Sequence, residues 1–137
     1  MKKLLIFILL FTGNVVLGQD RFSSCSAVFL NHHMIVEEYS ANAKAKISKD
    51  ATGWISAGAV TLGDVAKGEK KAEITQKIEF GVAIKDANTG TIVLFSPKEF
   101  KKIEAEKVLE KCKKGDTIII MTTDNTYALP HNEILVY

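Results

Sequence analysis

Polar and apolar residues alternate most cleanly between Ala41 and Ser48. Ala41, Ala43, Ala45 and Ile47 share one face, and Asn42, Lys44, Lys46 and Ser48 the other. A period of two over this length predicts a half-buried antiparallel strand whose solvent face carries lysines. The longest signal of the same kind follows later. Ile74, Ile78, Phe80, Val82 and Ile84 fall opposite Lys77, Glu79 and Lys85, and only Gln76 breaks the inward set. Between these two strands, Trp54 to Leu62 reads as a third, with Ser56, Ala57, Gly58 and Ala59 small enough for a neighbour to come close. Ser26–Leu30 and Met34–Tyr39 are split by Asn31-His32-His33, which fits a hairpin with a polar turn better than one bulged strand.

Asp86 to Gly90 has the composition of a turn and leads into Thr91–Phe95. The pattern then changes period. Ser96-Pro97-Lys98-Glu99 reads as a capping box with proline at the first helical position. Phe100, Ile103, Val108, Leu109 and Cys112 recur at helical spacing. Lys113 and Lys114 suit the negative end of a helix, and Gly115 can end it in the left-handed conformation. A helix over about 97–112 is therefore expected. Thr117–Thr123 is a β-branched strand, and Tyr127–Leu129 and Glu133–Tyr137 are further strand candidates separated by Pro130. The whole reads as an α+β domain, a mainly antiparallel β-sheet covered by one amphipathic helix.

The first residues stand outside this pattern. Met1-Lys2-Lys3, the apolar run Leu4–Phe11 and the small-residue exit Val16-Leu17-Gly18 have the layout of a cleaved secretory signal over 1–18, leaving a single domain over 19–137. The run is too short for a retained membrane span. A lipid anchor on Cys25 is the weaker reading, because Asp20 and Arg21 interrupt the approach to it. Export, to a periplasm or to the exterior, changes the charge balance. The full chain has 18 Lys and Arg against 16 Asp and Glu; the leader removes Lys2 and Lys3 and no acid, so the mature chain is balanced. Without a basic stripe nucleic acid is not an expected partner, and nothing favours stable membrane insertion after cleavage. In an oxidising compartment Cys25 and Cys112 invite a disulfide, although Cys112 would also pack as a small buried thiol.

No catalytic pattern emerges. Gly53-Trp54-Ile55-Ser56-Ala57-Gly58 places tryptophan where a nucleophile elbow needs glycine, and no helix follows. Trp54 reads instead as a core residue of its strand. Glu37 and Glu38 would point apart on a strand. No phosphate loop or dinucleotide fingerprint is present. Elimination leaves a small exported, non-catalytic binding protein that needs no cofactor and whose expected partner is another protein. Inhibitor, immunity, adaptor and envelope-component roles all fit. The late loop with Tyr127, Pro130, His131 and Asn132 is the candidate contact, beside strands that Pro130 would leave imperfectly paired. The alternatives are copper or zinc binding by His32, His33 and His131, and a hydrolase whose site assembles from distant residues.

Overall fold

The computed structural model describes residues 25–37, 40, 42–60, 74, 76–122 and 129–137. The proposed signal, Tyr127 and the strand candidate around it lie outside them. In chain order the elements are β1 (Cys25–Leu30), β2 (His33–Met34), β3 (Ala45–Ile47), β4 (Trp54–Val60), β5 (Gln76–Lys77), β6 (Gly81–Lys85), β7 (Ile92–Leu94), β8 (Lys102–Glu104), α1 (Ala105–Leu109), β9 (Thr117–Met121) and β10 (Glu133–Val136). They form two sheets of five strands. In the first, β1 lies between β2 and β4, and the far edge of β4 is shared by β5 and β8. The second runs β3-β10-β9-β6-β7 and is antiparallel except where β10 meets β3.

Local chemistry explains the first hairpin. Asn31 and His32 have φ of 52° and 72°, the two positive values that a two-residue type I′ connection requires. The Asn31 side chain donates to the Thr52 carbonyl and accepts from the Trp54 amide. Gly53 sits beneath it at φ 106°, where an added Cβ would fall 1.8 Å from Asn31 Oδ1.

Two stretches carry the chain from one sheet to the other. Residues 76–85 leave β4, pass through Phe80 and enter the second sheet as β6. Residues 92–104 return by the mirror route, from β7 through Phe100 to β8. Phe80 and Phe100 exchange backbone hydrogen bonds of 2.9 and 2.7 Å at the crossing. The strands thus turn a corner by switching sheets.

Between the sheets lies one main core. Val28, Ile55, Ala57 and Ile103 face Ala45, Ile47, Val82, Ile118, Ile120, Ile134 and Val136, with Ile78 and Phe80 at the crossing. Ala105, Val108, Leu109 and Cys112 close one side. The predicted alternation therefore has its outcome in β3, where Ala45 and Ile47 are buried and Lys46 is exposed. A smaller cluster of Ala27, Phe29, Met34 and Val60 packs on the other face of the first sheet.

The expected helix over 97–112 is the main correction. Only Ala105–Leu109 is α-helical, and its N-cap Glu104 makes no side-chain capping bond. Ser96 Oγ accepts from the Lys98 amide in a local turn, so the capping box does not form. Phe100 bridges Phe80, and Ile103 pairs with Ile55 as part of β8. The open edge of β4 offers residues 102–104 backbone partners that outweigh their helical preference, the usual way tertiary pairing overrides propensity. Among the described residues one short helix plugs the side of a β-rich domain and does not cover a sheet. Gly115 does take the left-handed conformation, with φ of 98°. The last α1 carbonyl accepts from Lys49, a lysine from the β3–β4 connection that suits the helix C-terminus.

Candidate functional site

Of the residues expected at the late loop, Pro130, His131 and Asn132 are described, and the last two make hydrogen bonds within the fold. His131 has φ 56°, and its Nε2 donates to the Ser40 carbonyl at 2.6 Å. Asn132 donates from Nδ2 to the Ile120 carbonyl at 3.0 Å. With Pro130 they make a half-buried turn, and β10 beyond it is paired on both sides. Among the described residues no open edge forms there, because β3 covers it. His131 and Asn132 do line a shallow groove of about 690 Å³ with Lys44, Lys46, Glu133 and Leu135.

The remaining sequence candidates are dispersed. His32 and His33 are exposed at the first hairpin, whereas His131 is half-buried and bonded to the Ser40 carbonyl. Among the described residues no group of three His, Cys, Asp or Glu is placed to hold a metal ion. Trp54 is not in the core: it is 43% exposed, with the Lys102 ammonium 4.5 Å from its ring centroid. Ser56 is half-buried in the middle of β4.

The expected bond between Cys25 and Cys112 is not formed. Cys112 is a free, buried thiol whose Sγ donates to the Val108 carbonyl at 3.4 Å. It packs in the main core. Burial, and then the charge of Asp116, push the Cys112 thiol up to about 11 against the pull of Lys49 and Lys113. Such a thiol is a poor nucleophile. In a Cys25→Ser variant, Cys112 is expected to resist alkylation at neutral pH and to react fully once denaturant is added. Rapid labelling of the native protein would show that the core opens there.

What the fold assembles lies at the other end of the second sheet. A cleft of about 650 Å³ opens between the β6–β7 hairpin and the chain leaving α1. Ile84, Val93, Phe95 and Cys112 give it an apolar floor, and Glu110, Lys111 and Lys113 stand on its far wall. The two walls are tied together by charge. Lys113 Nζ meets Asp86 Oδ2 at 2.5 Å and Asp116 Oδ1 at 3.2 Å. Asp116 also accepts from the Ala87 and Lys113 amides at 3.0 and 2.9 Å. Asp86 accepts from the Asn88 and Thr89 amides, which shapes the hairpin turn.

These bonds shift the groups in a consistent sense. The Lys113 ammonium, then the Thr89 and Asn88 amides, hold the Asp86 carboxyl well below its ordinary range. Burial alone would raise Asp116, but the Lys113 and Ala87 amides and the Lys113 ammonium outweigh it. Both carboxylates raise Lys113.

β7 borders this cleft and, among the described residues, is the edge of its sheet. Ile92, Val93 and Leu94 are 57, 62 and 61% exposed. The ladder fixes which backbone groups face outward. Asp86 donates to the Thr91 carbonyl and Phe95 donates to the Val82 carbonyl, so Thr91, Val93 and Phe95 bond to β6. By the alternation of an antiparallel pair, the N–H and C=O of Ile92 and Leu94 point away from the sheet. The other edges are blunted: β3 carries Lys46 next to Lys44, β5 carries Lys77, β8 carries Lys102 and Glu104, and β2 is two residues long. Within β7 there is neither charge nor proline.

The return strand expected at Thr91–Phe95 forms, but its exposure does not follow from the sequence pattern. Its one signal was an apolar run without alternation, which suits a strand exposed on an edge as well as one buried on both faces.

Comparison with family models, curated proteins and solved structures finds no match to this chain.

Proposed function

We propose that the chain is an exported, non-catalytic protein-binding module, and that it binds through the free edge of β7. The observation that carries this reading is the combination, on one strand, of outward backbone donors and acceptors with three exposed apolar side chains and no charge. Edges of this kind are normally protected by lysine, proline or a covering element. Alternating donors and acceptors at strand spacing are what another extended polypeptide supplies, and strand addition is a recurrent mode of peptide recognition. The cleft beside the strand gives side chains of the incoming segment a place to sit. This moves the contact from residues 127 and 130–132 to residues 92–94, and keeps the expectation that the partner is a protein.

The test removes one outward donor. Ile92→Pro deletes an N–H that makes no bond to β6, a substitution edge strands tolerate. Peptides selected from a displayed random library on the immobilised wild-type domain are expected to lose affinity by roughly tenfold or more on the variant, the effect of a lost hydrogen bond plus the obstructing ring. The variant's Tm should stay within about 3 °C of wild type. Selected peptides that bind Ile92→Pro as well as wild type would place the contact on another surface.

A further inference from the structure

We infer that the cleft beside β7 selects the partner: the segment that adds to this edge is one with a bulky, uncharged apolar side chain opposite Val93. This rests on the strand-addition reading and specifies what the added strand must carry. Residues directly opposed in a β-ladder share a face. Val93 pairs with Ile84 and lines the cleft with it; Ile92 and Leu94 pair with Lys85 and Ala83, which puts their side chains on the other face, although Leu94 also borders the cleft. A residue of an added strand that stands opposite Val93 is therefore directed over the cleft. Its neighbours on either side stand opposite Ile92 and Leu94 and face away from it.

The lining defines the chemistry. The floor is Ile84, Val93, Phe95 and the Cys112 thiol, and the volume of about 650 Å³ is ample for an aromatic or branched side chain. The one cation nearest the floor, Lys113, is already held by two carboxylates, Asp86 and Asp116. Glu110 and Lys111 add one charge of each sign at the wall. The lining therefore holds three carboxylates against two ammonium groups, a balance that repels an anionic side chain, and burying a charge of either sign beside Cys112 would cost desolvation. Backbone pairing with β7 then supplies sequence-independent affinity, and the cleft supplies the choice among segments. The occupant is thus an extended segment of another polypeptide, apolar at one position and tolerant at its neighbours.

The experiment uses a soluble seven-residue peptide of alternating threonine and valine whose central residue is phenylalanine, leucine, serine, aspartate or lysine, with affinity read by fluorescence anisotropy. The phenylalanine and leucine peptides are expected to bind the wild-type domain at least about tenfold more tightly than the serine peptide, the usual discrimination of an apolar pocket, and the charged ones more weakly still. Thr91→Trp, whose side chain fills the cleft from the exposed end of β7, should level this ranking and leave the weak common affinity. Glu110→Trp fills it from the opposite wall and repeats the test should the first variant not fold. Equal binding of the serine and phenylalanine peptides to wild type, or a ranking that survives both variants, would overturn the inference. Failure of strand addition itself would look different, because every peptide would then bind Ile92→Pro as it binds wild type. A dimer of the wild-type chain in sedimentation, dissociated by Ile92→Pro, would show that a second copy takes the edge and would overturn the choice of occupant.

Discussion

Phe80→Ala is expected to lower the unfolding free energy by about 3–5 kcal/mol, the range for a large buried aromatic truncated in place. Phe80 is fully buried and stands where residues 76–85 pass from one sheet to the other. Its ring lies 6.4 Å from that of Phe100 at 47°, a tilted arrangement that favours aromatic pairs beyond simple burial. Neighbours cannot collapse into the vacated space, because both backbones at the crossing are held by the 80–100 bridge. Urea unfolding of the two proteins measures the difference. A loss under about 1 kcal/mol, ordinary for a surface change, would mean that the crossing is held by backbone alone.

Asp116→Asn should have the next largest effect, and the more informative one. The residue is 3% exposed, and each of its oxygens accepts a hydrogen bond. An amide retains the size but loses the charge that holds Lys113, and one of its ends must present N–H groups to existing donors. Destabilisation of roughly 2–3 kcal/mol follows from breaking charged hydrogen bonds at a buried site. The pH dependence gives the sharper test. Asp86 and Asp116 both lie below their ordinary value when folded. The stability they supply is therefore present above the ordinary carboxylate range near pH 4 and is lost as pH falls through their folded values. Lys113 is raised, so its contribution is complete below its ordinary value and fades only as pH rises through the higher folded one. Wild-type Tm should accordingly fall on acidification below about pH 4, and the fall should be shallower in Asp116→Asn. Parallel profiles for the two proteins would show that the trio does not act as a unit.

Positions where a side chain's surroundings follow from its immediate neighbours were legible in the sequence. The alternation of Ala45 and Ile47 against Lys46 survives in β3, and Ile78, Phe80 and Val82 are all buried as their spacing implied. The first hairpin and Gly115 were legible for the same reason, since positive φ is a property of one or two residues. The helix was not. Phe100 and Ile103 fit a helical stripe, yet their burial comes from bonds to Phe80 and Ile55, far away in sequence. The candidate site depends on such distant pairings throughout. That β7 is an edge is decided by which strands flank β6. Asp86 and Asp116 read as ordinary turn residues until the fold sets Lys113 between them. Trp54 stands on a strand as expected, but strand membership does not say which side water is on.

The place of β10 has a consequence for when this protein can fold. β10 lies inside the second sheet, with β9 on one side and β3 on the other, and it aligns Ile134 with Ala45 across most of the described chain. As the polypeptide is synthesised, β1 to β9 can be present while β3 still has no neighbour and β9 has one side bare. Closing so long a loop is entropically slow. A nascent chain of this topology must therefore extend through β10 before its second sheet can be completed, and until then the edges of β3 and β9 that β10 will cover are open to whatever else is nearby.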